Sequence, residues 1–316
     1  MSTMTTTPRT IRSDGAMGDA RDLEVVPLRH WGRWVAALLV GVFAAAFAVS
    51  LMNNPNLEWA TVGDYLTKEF VLKGVAVTLM LTAVAMVIGT LGGVGIAIMR
   101  LSGNPVLRWS AWLFVWFFRG TPLLVQIIFW GFLAALYQRI QLGIPFTGWH
   151  LVDADTNTLV TPMVAAILAL GLNEMAYAAE IVRGGIIAVD TGQDDAARAL
   201  GLTGAQAMRT ITLPQAMRVI VPPMGNETVT MLKSTALVSV IGGHDLLTAV
   251  QSVYAQNFKV IPLLVVAAIW YLAMTSVLSL GQYFLERRFG RGYASSSRPG
   301  VVSRWLGSRG VEGDAR

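Results

Sequence analysis

The sequence predicts an all-α, polytopic membrane protein, a helical bundle with about six transmembrane helices. Of its 316 residues, 54% are hydrophobic and only 14% are charged, whereas soluble domains carry about 25% charged residues. The mean hydropathy is +0.56, and the few charges cluster between long apolar runs. This excess of apolar residues is expected to face lipid, as in a multi-pass protein of the cytoplasmic (inner) membrane.

Six apolar runs have the length of membrane-spanning helices, since about 20 residues cross the roughly 30 Å of hydrocarbon. The runs without a charged residue are Trp34 to Met52, Gly74 to Met99, Thr121 to Gln138, and Val260 to Leu285. The two runs that contain charged residues are Thr161 to Ile181 and Val219 to Ile241. Each of the six is predicted to be one span.

The placement of arginine predicts that both termini are cytoplasmic, because Lys and Arg are retained on that side of the membrane. With six spans, the arginines that fall on one side are Arg29, Arg33, Arg100, Arg108, Arg183, Arg198, Arg209, Arg218, Arg287, Arg288 and Arg291. The loops on the opposite side are poorer in Lys and Arg and contain several acidic residues.

This pattern divides the chain into four segments. Residues 1–30 are polar and lack an apolar period, which predicts a disordered cytoplasmic N-terminal tail. Residues 31–69 are predicted to form an additional N-terminal transmembrane helix and an outer loop. Residues 70–289 contain the other spans, and residues 290–316 are predicted to be a cytoplasmic C-terminal tail.

The composition excludes several kinds of site. The chain has no cysteine, so it has neither disulfides nor zinc–thiolate sites. Its three histidines lack metal-ligand spacing, and its four lysines complete no phosphate-binding G-x-x-x-x-G-K-[ST] motif. We therefore expect no metal, cofactor or catalytic residue in this chain. The net charge of +5 is expected to interact with the membrane surface, and no nucleic acid partner is expected.

The segment from Arg183 to Pro223 is too polar to span the membrane and too patterned to be a linker. Thr191 followed by Asp194 predicts a capping box that begins a short helix, and Gly201 predicts its left-handed end.

Thr203 followed by Gln206 predicts a second capped helix, which should end before Pro214 because Leu213 is pushed out of helical geometry. The resulting compact unit is expected to present four side chains to one side, namely those of Ala196, Ala197, Leu200 and Met208. Two interpretations stay open on these grounds: docking into a groove of a partner, or a helical hairpin that packs only on itself.

This segment resembles the EAA loop of ABC-importer permeases. The pattern of that loop is Glu-Ala-Ala, three residues, Gly, nine residues, Ile, one residue and Leu-Pro. The residues that occupy it here are Asp195, Ala196, Ala197, Gly201, Ile211, Leu213 and Pro214. Asp195 replaces the usual Glu, which keeps the charge but shortens the side chain.

Short sequence segments on either side of this loop and within it resemble the polar amino acid branch of these permeases, which includes histidine, glutamine, glutamate and arginine importers. The matching segments are Arg119 to Gln126, Ala176 to Gly185, Gly192-Gln193, and Leu232 to Ile241. Two features depart from that branch: the additional N-terminal span, and Ser234 where the family usually has Asp.

The resemblance implies a type I ABC-importer permease fold for residues 70–289, with a coupling loop at residues 190–214 that fits a cleft in a dimer of ATP-binding subunits. It further implies a polar amino acid substrate, a second permease copy or paralogue, and an extracytoplasmic solute-binding protein. ATP and magnesium would be bound by the partner ATPase, so the permease itself would be non-catalytic.

Charged residues within apolar runs are costly, about 3 kcal/mol on insertion scales, and are therefore candidates for function. The candidate translocation-path residues are Asn173, Glu174, Asn226, Glu227 and Lys233. The carboxylates would hold the ammonium group of an amino acid, and Lys233 or an amide would hold its carboxylate. The alternative is structural: Glu227 and Lys233 neutralise helix contacts, or these groups lie close enough to the interface to stay hydrated.

Three other functions compete with the importer permease. The first is a self-sufficient channel or secondary transporter, the second is a membrane scaffold or sensor, and the third is a permease for another small solute. Secondary transporters usually show internal repeats, and none is evident here. A scaffold would not require a capped loop at this spacing. The sequence therefore favours the permease subunit of an ATP-driven importer.

Overall fold

The structure, a computed structural model, describes residues 31–143 and 150–289. Both predicted tails, residues 1–30 and 290–316, lie outside these ranges. The chain divides after Asn54 into two units. In the first unit, helix α1 (Trp31–Met52) has 22 residues and is about 33 Å long at 1.5 Å per residue. It therefore has the length and the apolar composition that the first predicted span requires.

The second unit is a bundle of helices with one small hairpin. Its first half contains a 3-10 turn (Pro55–Leu57), α2 (Trp59–Leu66), α3 (Glu69–Leu101), α4 (Pro105–Gly120), α5 (Leu123–Gly131), α6 (Leu133–Leu136), β1 (Arg139–Gly143), β2 (His150–Asp155), α7 (Thr156–Leu159) and α8 (Pro162–Ile187). Its second half contains α9 (Thr191–Ala199), α10 (Gly204–Ala207), a π-helical turn (Met208–Thr212), α11 (Leu213–Ser234), a 3-10 helix (Thr235–Ile241), α12 (Leu246–Asn257) and α13 (Val260–Phe289).

Among the described residues, four helices are individually long and apolar enough to cross a membrane, namely α1, α3, α8 and α13. Two further spans result if each bent helix pair counts as one, which gives the predicted number of six as the upper limit. The predicted all-α membrane bundle is confirmed. The antiparallel hairpin of β1 and β2 is the one exception among the described residues, and it was not predicted.

The third predicted span, Thr121 to Gln138, is wrong as a single helix. Its apolar residues form α5, of only nine residues, and the four-residue α6. Thr121 and Pro122 are both extended, with ψ angles of 139° and 134°. For Thr121 this is expected, because the residue before a proline avoids the helical region. The chain therefore bends by 98° between α4 and α5, and only this pair together has the length of a span. The prediction missed α4.

The fifth predicted span, Val219 to Ile241, is the first part of a bent pair. Helix α11 begins earlier, at Leu213, and gives way to the 3-10 helix at Thr235. This 3-10 helix ends at Gly242, whose φ of 71° is left-handed and suits glycine because it lacks a Cβ atom. Helix α12 then continues at 43° to the preceding segment.

Helices α3 and α8 approach each other closely within the bundle. A Cβ atom on Gly89 would lie 2.3 Å from Cγ of Glu174, and one on Gly93 would lie 2.6 Å from Cβ of Ala178. Glycine therefore allows the two backbones to approach, which is how helices associate in lipid, where hydrophobicity contributes little.

At the far end of the bundle from the α8–α11 connection, α2 is bound to the start of α13. Lys259 Nζ donates to Glu58 Oε2 at 2.6 Å, and the indole Nε1 of Trp270 donates to the carbonyl of Leu66 at 2.9 Å. The hydrogen bond from Lys259 holds the pKa of Glu58 below its ordinary value. These bonds join residues about 200 positions apart in the chain.

Candidate functional site

Residues 190–214 form the connection between α8 and α11 and are called the capped loop below. Its first helix, α9, begins after Asp190, whose side chain accepts a hydrogen bond from the backbone N of Gly192 at 2.7 Å. The predicted cap at Thr191 is therefore wrong by one residue, since Thr191 is already helical. Asp194 does not complete a capping box; it pairs with Arg198 at 2.8 Å, one turn later.

The end of α9 confirms the prediction for Gly201, which has a left-handed φ of +78°. The backbone N of Leu202 donates to the carbonyl of Ala197 at 3.1 Å, and that of Gly201 donates to the carbonyl of Arg198 at 2.9 Å. These two bonds form a Schellman motif, which satisfies the last carbonyls of the helix and requires a residue that tolerates positive φ.

The second cap is also confirmed: Thr203 and Gln206 form a reciprocal capping box at the start of α10. The predicted end of this helix before Pro214 is wrong. Leu213 is helical, with φ −62° and ψ −44°, and its backbone N bonds to the carbonyl of Met208, five residues earlier. This wider π-helical turn accommodates Pro214, whose ring would clash with a carbonyl in a regular α-helix. The helical run that begins at Gly204 therefore continues without a break into α11.

The capped loop exposes both charge and apolar surface. The side chains of Asp195 and Ala196 are exposed, Leu200 is 80% exposed and Leu213 is 41% exposed. Ala197 was expected beside Leu200 on one outer face, but it is buried. The reason is local: Ala197 lies under the Schellman turn, to which its carbonyl contributes.

The other two residues of the predicted coupling pattern lie at the end of the loop. Ile211 is half-buried in the π-helical turn, and Pro214 is exposed in the first turn of α11. A hydrogen bond of 3.2 Å between the side chains of Gln215 and Gln193 connects α11 back to α9. The loop is thus fixed to the transmembrane helix that follows it.

In the predicted translocation path, Glu174 is only 2% exposed and its Oε1 atom is buried without a hydrogen-bond partner. Asn173, also buried, donates to the carbonyl of Phe118 at 3.1 Å and to Oε1 of Gln126 at 3.3 Å. Asn173 therefore supports the bend between α4 and α5. A buried carboxyl oxygen without a hydrogen-bond partner is costly, which makes Glu174 a candidate for contact with water or a solute.

The remaining path residues lie on α11. Glu227 is half-buried, whereas Asn226 and Lys233 are exposed. Glu227 and Lys233 are six residues apart, so they point about 120° away from each other on the helix. Within the part of the chain that the structure describes, neither Glu227 nor Lys233 takes part in an ion pair. The structure thus places Glu174 and Glu227 on two packed helices, α8 and α11, and separates Lys233 from Glu227.

An ion network lies at the same end of the bundle as the capped loop. Glu180 pairs with Arg183, three residues later on α8, at 2.6 Å. The network also includes Arg100 from α3, whose guanidinium is 3.4 Å from Glu180. These two residues are 80 positions apart, so only their shared location near the ends of two predicted spans could have indicated the contact.

Comparison with known proteins gives a consistent result. Residues 85–291 match the family described as binding-protein-dependent transport system inner membrane component. The chain is 44% identical over 274 residues to the arginine transport system permease protein ArgU of Corynebacterium glutamicum, covering 86% of this chain and 84% of that protein. It is 36% identical over 212 residues to the histidine/lysine/arginine/ornithine permease HisM of Salmonella typhimurium, covering 67% of this chain and 86% of HisM.

The fold is also similar to a solved structure, described as an amino acid ABC transporter with histidines. The match has a TM-score of 0.60 and 36% sequence identity, and it covers 69% of this chain and 94% of the matched chain. A match to the MetNI methionine ABC transporter has a TM-score of 0.53 at 18% identity, which is a likeness of fold alone.

Proposed function

The chain belongs to the family of binding-protein-dependent transport system inner membrane components, and we propose that it is the permease subunit of an ATP-driven importer for a polar amino acid. The observation that carries the proposal is the capped loop inside the family match. It is a preformed unit, with both helices capped by their own residues and Leu200 exposed at its outer side.

The capped loop is proposed to be the surface that an ATP-binding subunit engages. A preorganised surface binds well because little conformational entropy is lost on docking. The helical run from Gly204 through the π-helical turn into α11 would transmit movement of the docked ATPase into the bundle. Hydrolysis of ATP, with its magnesium ion, would take place in that partner, and this chain would perform no chemistry.

Glu174 and Glu227 are proposed to line the path of the solute. The unpartnered Oε1 of Glu174 and the partial exposure of Glu227 support this role. Asn226, which is exposed beside Glu227, would supply an amide to the carboxylate of the solute. Lys233 lies on another side of α11 and would act elsewhere along the path, while Asn173 would hold the α4–α5 bend.

The solute is proposed to be a cationic amino acid of the arginine type. Two acidic side chains within the spans would pair with the positive side chain and the ammonium group of the solute, and this pairing would favour their ionised form. The names of ArgU and HisM, which carry arginine in their descriptions, point the same way.

The assembled importer is proposed to contain two ATP-binding subunits, a second permease copy or paralogue, and an extracytoplasmic solute-binding protein. The capped loop would face the cytoplasm, and the hairpin and α2 would face the opposite side. Both termini would then be cytoplasmic, as the arginine distribution indicates.

Transport by the reconstituted complex tests the proposal. Proteoliposomes that contain the permease, its ATPase and its binding protein should accumulate labelled arginine only when ATP is supplied. Unlabelled lysine should compete better than glutamine if the solute is cationic. Accumulation driven by an ion gradient without the ATPase would contradict the proposal and would favour a secondary transporter.

A further inference from the structure

A cavity of about 430 Å³ lies between α3, α4 and α8, at the end of these helices that leads into the capped loop. Its lining includes two arginines and one acid, together with three aromatic residues; these are Arg100, Arg119, Glu180, Trp112, Trp116 and Tyr177. The proposed path residues Glu174 and Glu227 do not line it.

The guanidinium groups around this cavity are incompletely paired. Arg183 binds Glu180 through two nitrogens, at 2.6 Å and 3.1 Å, so the carboxylate is largely occupied. Arg100 reaches it only at 3.4 Å, and the Nε atom of Arg100 is buried without a hydrogen-bond partner. Arg119 stacks on the ring of Tyr177, with its guanidinium carbon 5.0 Å from the ring centroid.

The cavity therefore carries an excess of positive charge. Arg183 already pairs with Glu180, so the guanidinium groups of Arg100 and Arg119 share this one carboxylate among the lining residues. Arg119 is exposed, but the side chains of Arg100 and Glu180 are only 19% and 18% exposed, and an unpaired buried donor such as Nε of Arg100 is costly. The site is thus suited to an anion with several acceptor oxygens.

The aromatic wall indicates where this cavity lies in the membrane. Trp112 and Trp116 stack at 6.2 Å between centroids and are 40% and 59% exposed. Exposed tryptophans of this kind are enriched at the level of lipid headgroups, where an apolar ring also has a polar atom to solvate. The cavity thus combines a cationic inner side with an apolar outer side at the membrane interface.

We propose that this cavity binds the phosphodiester of an anionic phospholipid headgroup, such as that of phosphatidylglycerol. Guanidinium groups form paired hydrogen bonds with phosphate oxygens, and basic pockets between transmembrane helices bind anionic headgroups. The negative charge of the phosphodiester would supply the counter-charge that Arg100 and Arg119 lack. A cationic amino acid would be repelled here, and inorganic phosphate lacks an apolar part to contact the tryptophans.

The headgroup would connect α3, α4 and α8 at the base of the capped loop. Arg183 belongs to the last turns of α8 before the loop begins, and Arg100 belongs to the last turn of α3. Lipid binding would therefore stabilise the frame from which the loop projects. This role does not depend on the identity of the transported solute.

Quenching of tryptophan fluorescence by brominated lipids tests the proposal on the whole purified complex in detergent. Brominated phosphatidylglycerol should quench at concentrations about tenfold lower than brominated phosphatidylcholine, because only the former is a net anion. Arg119→Gln should remove most of this difference, whereas Arg119→Lys should retain part of it. Arg108→Gln, on the same helix but outside the cavity lining, should leave it unchanged.

Equal quenching by the two lipids in the unmodified complex would overturn the proposal, as would an unchanged preference in a folded Arg119→Gln variant. Two competition measurements identify the ligand. If inorganic phosphate displaces the brominated lipid at similar concentrations, the cavity is a site for free phosphate. Arginine that displaces it would make the cavity part of the solute path. Displacement by phosphate or by arginine would contradict lipid binding. Neither result would contradict the proposed transport function.

Discussion

The capped loop and the α3–α8 contact are stabilised in opposite ways. The loop is held by bonds between residues two to five positions apart, such as Thr203 with Gln206 and Leu202 with Ala197, and most of its surface is exposed. The α3–α8 contact joins distant residues, such as Gly89 and Glu174, and is buried. We therefore expect changes in the capped loop to impair function without loss of the fold, and changes in the α3–α8 contact to impair assembly of the bundle.

The largest effect is expected from Gly89→Val in the buried contact. Its Cβ would lie 2.3 Å from Cγ of Glu174 and 3.2 Å from the backbone carbon of the same residue, so the helices must separate. Overpacking costs about 1–3 kcal/mol, and the yield and the melting temperature of the permease should fall. Gly95→Val is the matched control, since no atom lies within 4 Å of the Cβ position there. Equal stability of the two variants would contradict the close contact.

In the capped loop, Gly201→Val should strongly impair transport and leave the membrane bundle intact. A left-handed conformation costs a non-glycine residue about 1–2 kcal/mol, and a β-branched side chain tolerates it least. ATP-driven uptake should fall by at least about tenfold while the amount of inserted permease is unchanged. Gly204→Ala, in open space and with no positive φ, is the control. Normal uptake and normal ATPase co-purification in Gly201→Val would refute the assignment of the loop.

Substitution of Glu174 and Glu227 tests whether these two acidic side chains contact the solute during transport. Glu174→Gln keeps the shape of the side chain but can no longer become a carboxylate, so assembly should be preserved while uptake per assembled complex falls about tenfold, or about 1.4 kcal/mol of barrier. Glu227→Gln should act in the same direction. If both variants transport normally per complex, neither carboxylate contacts the solute. A loss of folded complex without a change in uptake per complex would make Glu174 structural.

The smallest effect concerns the exposed pair of Glu58 and Lys259. Because the pKa of Glu58 is lowered in the folded protein by the hydrogen bond from Lys259, the pair contributes stability above the ordinary carboxyl pKa. This contribution is lost as the pH falls through the lower, folded-state pKa. Melting temperatures between pH 6 and pH 3 should therefore decline slightly more in the unmodified permease than in Glu58→Gln. Parallel declines would show that the pair contributes nothing.

Sequence patterns identified features that are determined locally. The Thr203–Gln206 box and the left-handed Gly201 depend on a few neighbouring residues, and both were predicted correctly. The cap at Thr191 was wrong because Asp190 and Thr191 are both good capping residues, and the spacing alone does not choose between them. The break predicted at Leu213 failed because a π-helical turn absorbs the proline that follows.

Features that depend on tertiary contacts were not predictable in the same way. The 98° bend at Thr121 and Pro122 is supported by Asn173, which reaches the carbonyl of Phe118 from another helix. Hydropathy alone predicts one straight span from Thr121 to Gln138. The contact of Arg100 with Glu180 likewise joins two helices. The membrane depth of Glu174 was predicted from its apolar neighbours, but its burial against Gly89 required the packed structure.

Cross-linking from the capped loop tests the central claim most directly, because the chain has no cysteine and a single introduced thiol is therefore unique within it. Leu200→Cys, at a position that is 80% exposed, would carry a photoactivatable thiol-reactive probe in the transport-competent complex. Leu151→Cys, at a position that is 74% exposed in the hairpin, is the control. The account predicts an adduct with the ATP-binding subunit from position 200 and none from position 151. An active complex without an adduct from position 200, or with equal adducts from both positions, would contradict it.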